Sequence, residues 1–239
     1  MKILKITLIS LLIANSLFAL TLMTEDYPPY NYSDRYGKPA GISVDIVKTI
    51  IKKTGDIDNI TILPWARSYK YIQERKGQVL FVMTRTPQRE KMFKWVGPVA
   101  TNKWVLFTNS SSNISLNSLE EAKNSKYTIG TYKDDACEVF LKNKGFSNLD
   151  SQNDDNLNVK KLMKNRINLW IVGEYQGILK AKRIDKGFKL KKVLDVETTE
   201  LYIAFSHDIS DEIVKRWQKE LDLMKKDGRY QKILDMHLK

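Results

Sequence analysis

Cysteine is almost absent. Cys137 is the only one in 239 residues, so no intramolecular disulfide can form and folding must rest on packed cores. Histidine is nearly as scarce: His207 and His237 both fall late in the chain. No His/Cys cluster has the spacing of metal ligands, so no metal is expected. There is no Gly-x-Ser-x-Gly elbow and no Gly-rich phosphate loop, which argues against hydrolase and nucleotide chemistry. No catalytic residue and no cofactor is expected, although catalysis by carboxylates alone stays open. Acidic residues are outnumbered: Lys and Arg total 40 against 28 Asp and Glu, a formal charge of +12. The lysines are scattered rather than clustered, which is the pattern of a solvated surface, and no nucleic-acid partner is expected.

What is present begins with "MKILKITLISLLIANSLFA". Lys2 and Lys5 precede an apolar run that is too short for a comfortable membrane span of roughly 20 residues. Residues 1–19 read as a secretory signal peptide, cut after Ala19. An uncleaved anchor is the alternative. No second apolar segment of that kind follows, so the mature chain is expected to be soluble and exported.

From Leu20 onward, short apolar strands alternate with amphipathic helices, the pattern of α/β layers. "LTLMT" reads as a strand. "EDYPPYNYSDRYGKPAG" reads as a loop. "ISVDIVKTIIKKTG" reads as a helix, with Ile42, Ile46 and Ile50 four apart and Gly55 as its stop. "ITIL" and "VLFVM" read as strands around the helix "WARSYKYIQERKG". Further on, "YTIGT", "INLWIV", "FKLKKVLDV" and "LYIAFS" read as strands. "DDACEVFLKNKG", "LNVKKLMKNR" and "EYQGILKAKR" read as helices. "SDEIVKRWQKELDLMKKDG" is a helix capped by Ser210, with Val214, Trp217, Leu221 and Met224 on one stripe. "RYQKILDMHLK" closes the chain as a short helix.

Val82 to Pro98, "VMTRTPQREKMFKWVGP", concentrates cationic and aromatic chemistry after an apolar strand. Thr86 and Pro87 have the form of a helix start, which places Arg89 in a first turn. There its planar fork either grips a carboxylate beside exposed backbone N–H groups or pairs with a nearby acid.

Taken in order, these segments resemble the bacterial extracellular solute-binding proteins of family 3, periplasmic receptors of polar-amino-acid ABC importers. The likeness rests on "YPPYNY…GKPAGISVDIVKTI", on "MTRTPQREKMFKWVGPV" and on "LYIAFS…KELDLMKKDGRYQKIL", and covers nearly the whole mature chain. It implies the two-lobe α/β periplasmic-binding-protein fold (type II). Lobe 1 would take residues 20–106 plus 201–239 and lobe 2 residues 107–200. Two crossover strands, "NKWVLF" and "TELYIAF", would join them around a ligand cleft. It further implies a monomer in the periplasm that binds an amino acid or small carboxylate and delivers it to an ABC transporter membrane permease.

Carried over by position, the resemblance makes Tyr27 and Trp65 aromatics that stack on ligand. Thr84 becomes a polar contact and Arg89 the carboxylate-binding arginine. Lobe 2 departs from the pattern. The usual amine-binding Asp falls at Gly173 or Glu174; Glu174 either serves by a one-residue shift or is a solvated acid. In "KDDAC", Asp135 either caps a helix or accepts an ammonium. Arg67, two residues beyond Trp65, could face the ligand and favour a second anionic group, whereas Arg85 could turn away. An enzyme on the same fold, like a cyclohexadienyl dehydratase, and a free-standing ligand sensor are the alternatives; fold alone does not decide among them.

Overall fold

The structure is a computed structural model that describes residues 20–57 and 59–238; the expected leader at 1–19 lies outside the described residues. Strand β1 (Thr21–Thr24) leads through a small ribbon, β2 (Tyr32–Ser33) and β3 (Pro39–Ala40), to helix α1 (Ile42–Thr54). The four-residue spacing works as read: Ile42, Ile46 and Ile50 are buried, with Val47 and Ile51 beside them. Gly55 closes the helix in the left-handed region at φ 79° and donates its N–H to the Ile51 carbonyl.

The opposite end of α1 needs a glycine for a different reason. Gly41 has φ 117°, and a Cβ there would lie 2.5 Å from the Tyr30 carbonyl oxygen. Backbone cannot yield as a flexible side chain does. Gly41→Ala is therefore expected to cost about 1–3 kcal/mol, read as a lower thermal midpoint. An unchanged midpoint would show that the close approach relaxes freely.

β4 (Thr61–Ile62), α2 (Trp65–Glu74) and β5 (Gln78–Thr84) complete the first block. β6 (Lys94–Asn109) then carries the chain into a second block. That block contains α3 (Leu119–Asn124), β7 (Ile129–Tyr132), α4 (Ala136–Asn143), β8 (Leu149–Gln152), α5 (Asp155–Met163), β9 (Leu169–Gly173) and α6 (Glu174–Ile184). β10 (Leu190–Phe205) returns the chain, and α7 (Asp211–Lys226) and α8 (Arg229–Leu238) pack back on the first block. Ser210 caps α7 by accepting from the Ile213 N–H, and Trp217, Leu221 and Met224 are buried on the stripe read from the sequence.

The strand order is β4-β1-β5-β10-β6-β9-β7-β8. At the centre, β6 and β10 are each 16 residues long and pair antiparallel from Lys94–Phe205 at one end to Asn109–Leu190 at the other. The first half of β6 and the last half of β10 belong to a core built on α1, β5 and α7, containing Val96, Val99, Leu201, Ile203 and Phe205. Their other halves belong to cores of the second block: Trp104 and Leu106 pack with Leu141 and Ile171, while Val105 and Phe107 pack with Val159 and Trp170. Two lobes are thus bridged by two strands, and the register shifts at three places along the pair, each a point of local bending.

Two expectations differ from what is observed, and two short elements have no counterpart in the sequence reading. "FKLKKVLDV" and "LYIAFS" are parts of one continuous strand, because the polar stretch between them pairs with β6 across the bridge instead of turning. The short α3 and β8 have too few apolar residues to show a period. The helix expected from Thr86 is a run of turns, with Arg89 N–H to the Thr86 carbonyl and Met92 N–H to the Arg89 carbonyl. The segment must bury Phe93 and enter β6 at Lys94, which leaves no length for a helix.

Candidate functional site

Strand ends of lobe 1 and the start of α4 in lobe 2 meet at a narrow cavity, with about 20 Å³ open to the centre of a water molecule. Tyr27, Trp65, Thr84, Arg89 and Asp135 all line it, together with Glu25. Five of the seven ligand candidates are therefore brought to one place, drawn from both lobes.

Arg89 is the centre of the arrangement. It is 5 % exposed, and its guanidinium lies 4.9 Å from the ring centroids of both Trp65 and Tyr69. Those two rings stack on each other at 5.0 Å. Aromatic rings at this distance suit a guanidinium, which is weakly hydrated on its faces. Nη1 donates to the Thr84 carbonyl at 3.2 Å, and Nη2 donates across the lobes to the Asp134 carbonyl at 3.4 Å. With no helix at Thr86, the guanidinium itself is the cationic element here, without a helix terminus behind it.

Asp134 makes that crossing possible. Its φ is 60°, a left-handed conformation that turns its carbonyl toward lobe 1. The same carbonyl accepts from Trp65 Nε1 at 3.1 Å, and the Tyr132 hydroxyl accepts from the Trp65 backbone N–H at 3.2 Å. Its N–H in turn donates to Glu138 at 2.8 Å. A further strained residue, Val82 at φ 66°, sits at the cavity wall where β5 and β10 shift register. A β-branched residue in that region stores strain, a feature often found at functional sites.

Asp135 caps α4, its carboxylate accepting from the Glu138 N–H at 2.8 Å, and also faces the cavity. The two readings of this residue do not exclude each other. Burial pushes its carboxyl up to about 7, against the lowering effect of that N–H and of Arg89. Glu25 is pushed further, to about 8, mainly by burial and despite Lys180. Glu25 was not among the residues singled out from sequence; an acidic pair directly after an apolar strand, at the strand's C-terminal end, is the signal that could have found it.

The remaining candidates lie elsewhere. Arg67 is exposed and does not line the cavity, because two positions along a helix from Trp65 turn a side chain to roughly the opposite face. Glu174 opens α6 but points to β10, where Lys192 Nζ lies 2.9 Å from its carboxylate. Gly173 faces the cleft without a side chain: a Cβ there would lie 2.6 Å from the Tyr27 hydroxyl and 2.7 Å from Asn102 Oδ1. The Tyr27 hydroxyl uses that room to accept from Asn102 Nδ2 at 2.8 Å. Arg85 turns away, forked onto Glu90 at 2.6 and 2.7 Å. The excess positive charge that Arg67 would have supplied is thus absent, and carboxylates outnumber cations at the cleft.

Among the described residues no group of three or more His, Cys, Asp or Glu could hold a metal ion, and no helix is long and apolar enough to cross a membrane.

Comparison with known proteins agrees with this architecture. A histidine kinase sensor domain with similarity to periplasmic binding proteins superposes with a TM-score of 0.84 at 19% identity, covering 92% of this chain and 96% of that one. An ancestral arginine-binding protein bound to arginine superposes at 0.78 with 23% identity, covering 92% and 98%. At these identities the likeness speaks for the fold, a two-lobe periplasmic-binding-protein fold. A probable amino-acid ABC transporter-binding protein of Haemophilus influenzae is 27% identical over 101 residues, which span 42% of this chain and 39% of that protein. Residues 20–239 match the family described as bacterial extracellular solute-binding proteins, family 3, and the chain belongs to that family.

Proposed function

We propose that the protein is a periplasmic receptor for an amino acid or a closely related small carboxylate, handing it as a monomer to an ABC transporter permease. The observation that carries this reading is Arg89: a buried guanidinium against a pair of stacked aromatics, at a cavity lined from both lobes. The ligand carboxylate takes the fork of Arg89, with Thr84 beside it, and Tyr27 and Trp65 cover its apolar part. Asp135 accepts an amine from the lobe 2 side. Residues 20–106 with 201–239 move against 107–200 by bending of the β6–β10 pair. Ligand contacts with both lobes are complete only when the lobes meet, so binding favours the closed arrangement without any bond being made or broken.

Thermal unfolding of ligand-stripped mature protein tests the reading. Amino acids are compared with sugars and with amines that lack a carboxylate. A ligand at 100 times its Kd adds about 2.7 kcal/mol, a readily measured shift. The expected result is a shift by amino acids alone. A shift by a sugar or a simple amine, with none by amino acids, would remove the carboxylate from the reading.

A further inference from the structure

The stretch "YKDDACE", Tyr132 to Glu138, joins β7 to α4. Asp135 is the N-cap and Glu138 the third helical residue, which is the spacing of a capping box. In such a box the Glu side chain takes the N–H of the capping residue. Here that N–H is already engaged, donating to the Tyr132 carbonyl at 3.2 Å. The Glu138 carboxylate instead accepts from the N–H one residue earlier, that of Asp134, at 2.8 Å. Its side chain is fully buried, and it also accepts from Thr131 Oγ1 at 3.1 Å, with Lys142 Nζ 2.9 Å away. Burial alone would raise its carboxyl, yet the hydrogen bonds it accepts hold it below the usual carboxylate range, so the group is an anion. A buried anion is costly without its donors, so the Asp134 N–H is held where the carboxylate needs it.

The Asp134 side chain is exposed, so the position contributes its backbone. A φ of 60° is unfavourable for a residue with a Cβ and needs support. One peptide group of this residue is tied to Glu138 in lobe 2, and the next offers its carbonyl to Trp65 Nε1 and Arg89 Nη2 of lobe 1. Another crossing between the lobes, Arg183 to Asp26 at 3.0 Å, lies at the surface, where an ion pair holds little. The turn also borders two cavities. Asp135 lines the one described above. Tyr132 lines a second, with about 360 Å³ open to the centre of a water molecule, beside the β4–α2 turn and the start of α5. Glu25 lines both.

We propose that Glu138 is the positioning residue for lobe closure: its buried carboxylate sets the Asp134 turn so that one carbonyl receives both Trp65 and Arg89 across the cleft. In this role it touches no ligand. The proposal rests on the receptor reading for what closure serves. Losing the carboxylate frees the Asp134 N–H, and the turn relaxes to a negative φ that withdraws the carbonyl from lobe 1. A hydrogen bond to a charged group is worth roughly 10- to 100-fold in an equilibrium, and closure is expected to weaken by that order.

Small-angle X-ray scattering on ligand-stripped wild type, Glu138→Ala and Glu138→Gln tests this at pH 5, where Glu25 keeps its proton in the closed arrangement. Glu138→Ala is expected to raise the radius of gyration. Glu138→Gln is expected to stay near wild type, because its amide oxygen can accept from the Asp134 N–H while its NH₂ donates to the Thr131 hydroxyl. A residue that only capped α4 would lower the thermal midpoint and leave the radius as it is. Calorimetric titration with L-glutamine, L-glutamate and L-arginine follows the same variants. Whichever of these binds wild type is expected to bind Glu138→Ala about 10-fold or more weakly and Glu138→Gln within about threefold. An unchanged radius and affinity in folded Glu138→Ala overturns the proposal and leaves the receptor reading in place. Glu138→Gln as open as Glu138→Ala also overturns it, by tracing the effect to the charge and not to the Asp134 N–H. No amino acid binding wild type, with the radius still raised in Glu138→Ala, overturns the receptor reading and upholds the role of Glu138 in closure. Where Glu138→Ala does not fold, Glu138→Asp keeps the charge but falls short of the Asp134 N–H, and it is expected to raise the radius in the same way.

Discussion

Arg89→Ala is expected to weaken ligand binding by roughly 30- to several-thousand-fold. Truncating one partner of a buried, hydrogen-bonded charge pair costs about 2–5 kcal/mol, and each 1.4 kcal/mol is tenfold in Kd. The size of the loss follows from the setting. Arg89 is buried, two of its N–H groups are taken by the Thr84 and Asp134 carbonyls, and it lies 4.9 Å from the ring centroids of Trp65 and Tyr69. The donors that remain have few other places to go than the cavity. Arg89→Lys keeps the charge but loses the fork, so it is expected to recover little of the affinity. Titration calorimetry on the three proteins, with circular dichroism as the check on folding, reads this directly. Wild-type affinity in a folded Arg89→Ala protein would place the carboxylate elsewhere.

A strong pH dependence of lobe closure in ligand-stripped protein is the second large effect. Glu25 has its carboxyl raised from 4.5 to about 8 when the lobes are together, chiefly by burial. Below about pH 4.5 the group is protonated whether the lobes are together or apart, and closure is unpenalised. Between about 4.5 and 8, parted lobes let the carboxylate ionise in water, while joined lobes require the proton to stay. Closure therefore weakens about tenfold per pH unit across this window and levels off above it, a total on the order of 3–5 kcal/mol. Asp135, raised to about 7, acts in the same direction. Small-angle X-ray scattering from pH 5 to pH 9 is expected to show a growing radius of gyration, and Glu25→Gln to remove most of the trend. A radius that does not change with pH would mean that another group compensates Glu25.

Much of the scaffold was legible because local chemistry and the final fold agree. The isoleucines of α1, its Gly55 stop and the Ser210 cap of α7 act in the structure as their spacing implies. Arg89 was legible by position although the local element was not. Thr86 and Pro87 have the form of a helix start, but burial of Phe93 and the entry to β6 override it. The polar residues Glu197 to Glu200 hid the continuity of β10, since a bridge exposed to water needs no apolar alternation. Glu25 was hidden for a deeper reason. An acid in a strand-to-loop segment is ordinarily solvated, whereas Glu25 is buried beside cavities lined from both lobes. Residues whose role depends on two lobes meeting leave little trace in local pattern.

The Asp134 carbonyl, which receives both Trp65 and Arg89, has a kinetic consequence. While those bonds hold, the 20 Å³ cavity admits no amino acid. Capture must wait for the bonds to part, so the observed rate of association rises with ligand concentration only until it meets the rate of parting, and then saturates. If the protein is the proposed receptor, the turn at Asp134 thereby sets a ceiling on the rate of ligand capture that no improvement in ligand contacts can raise.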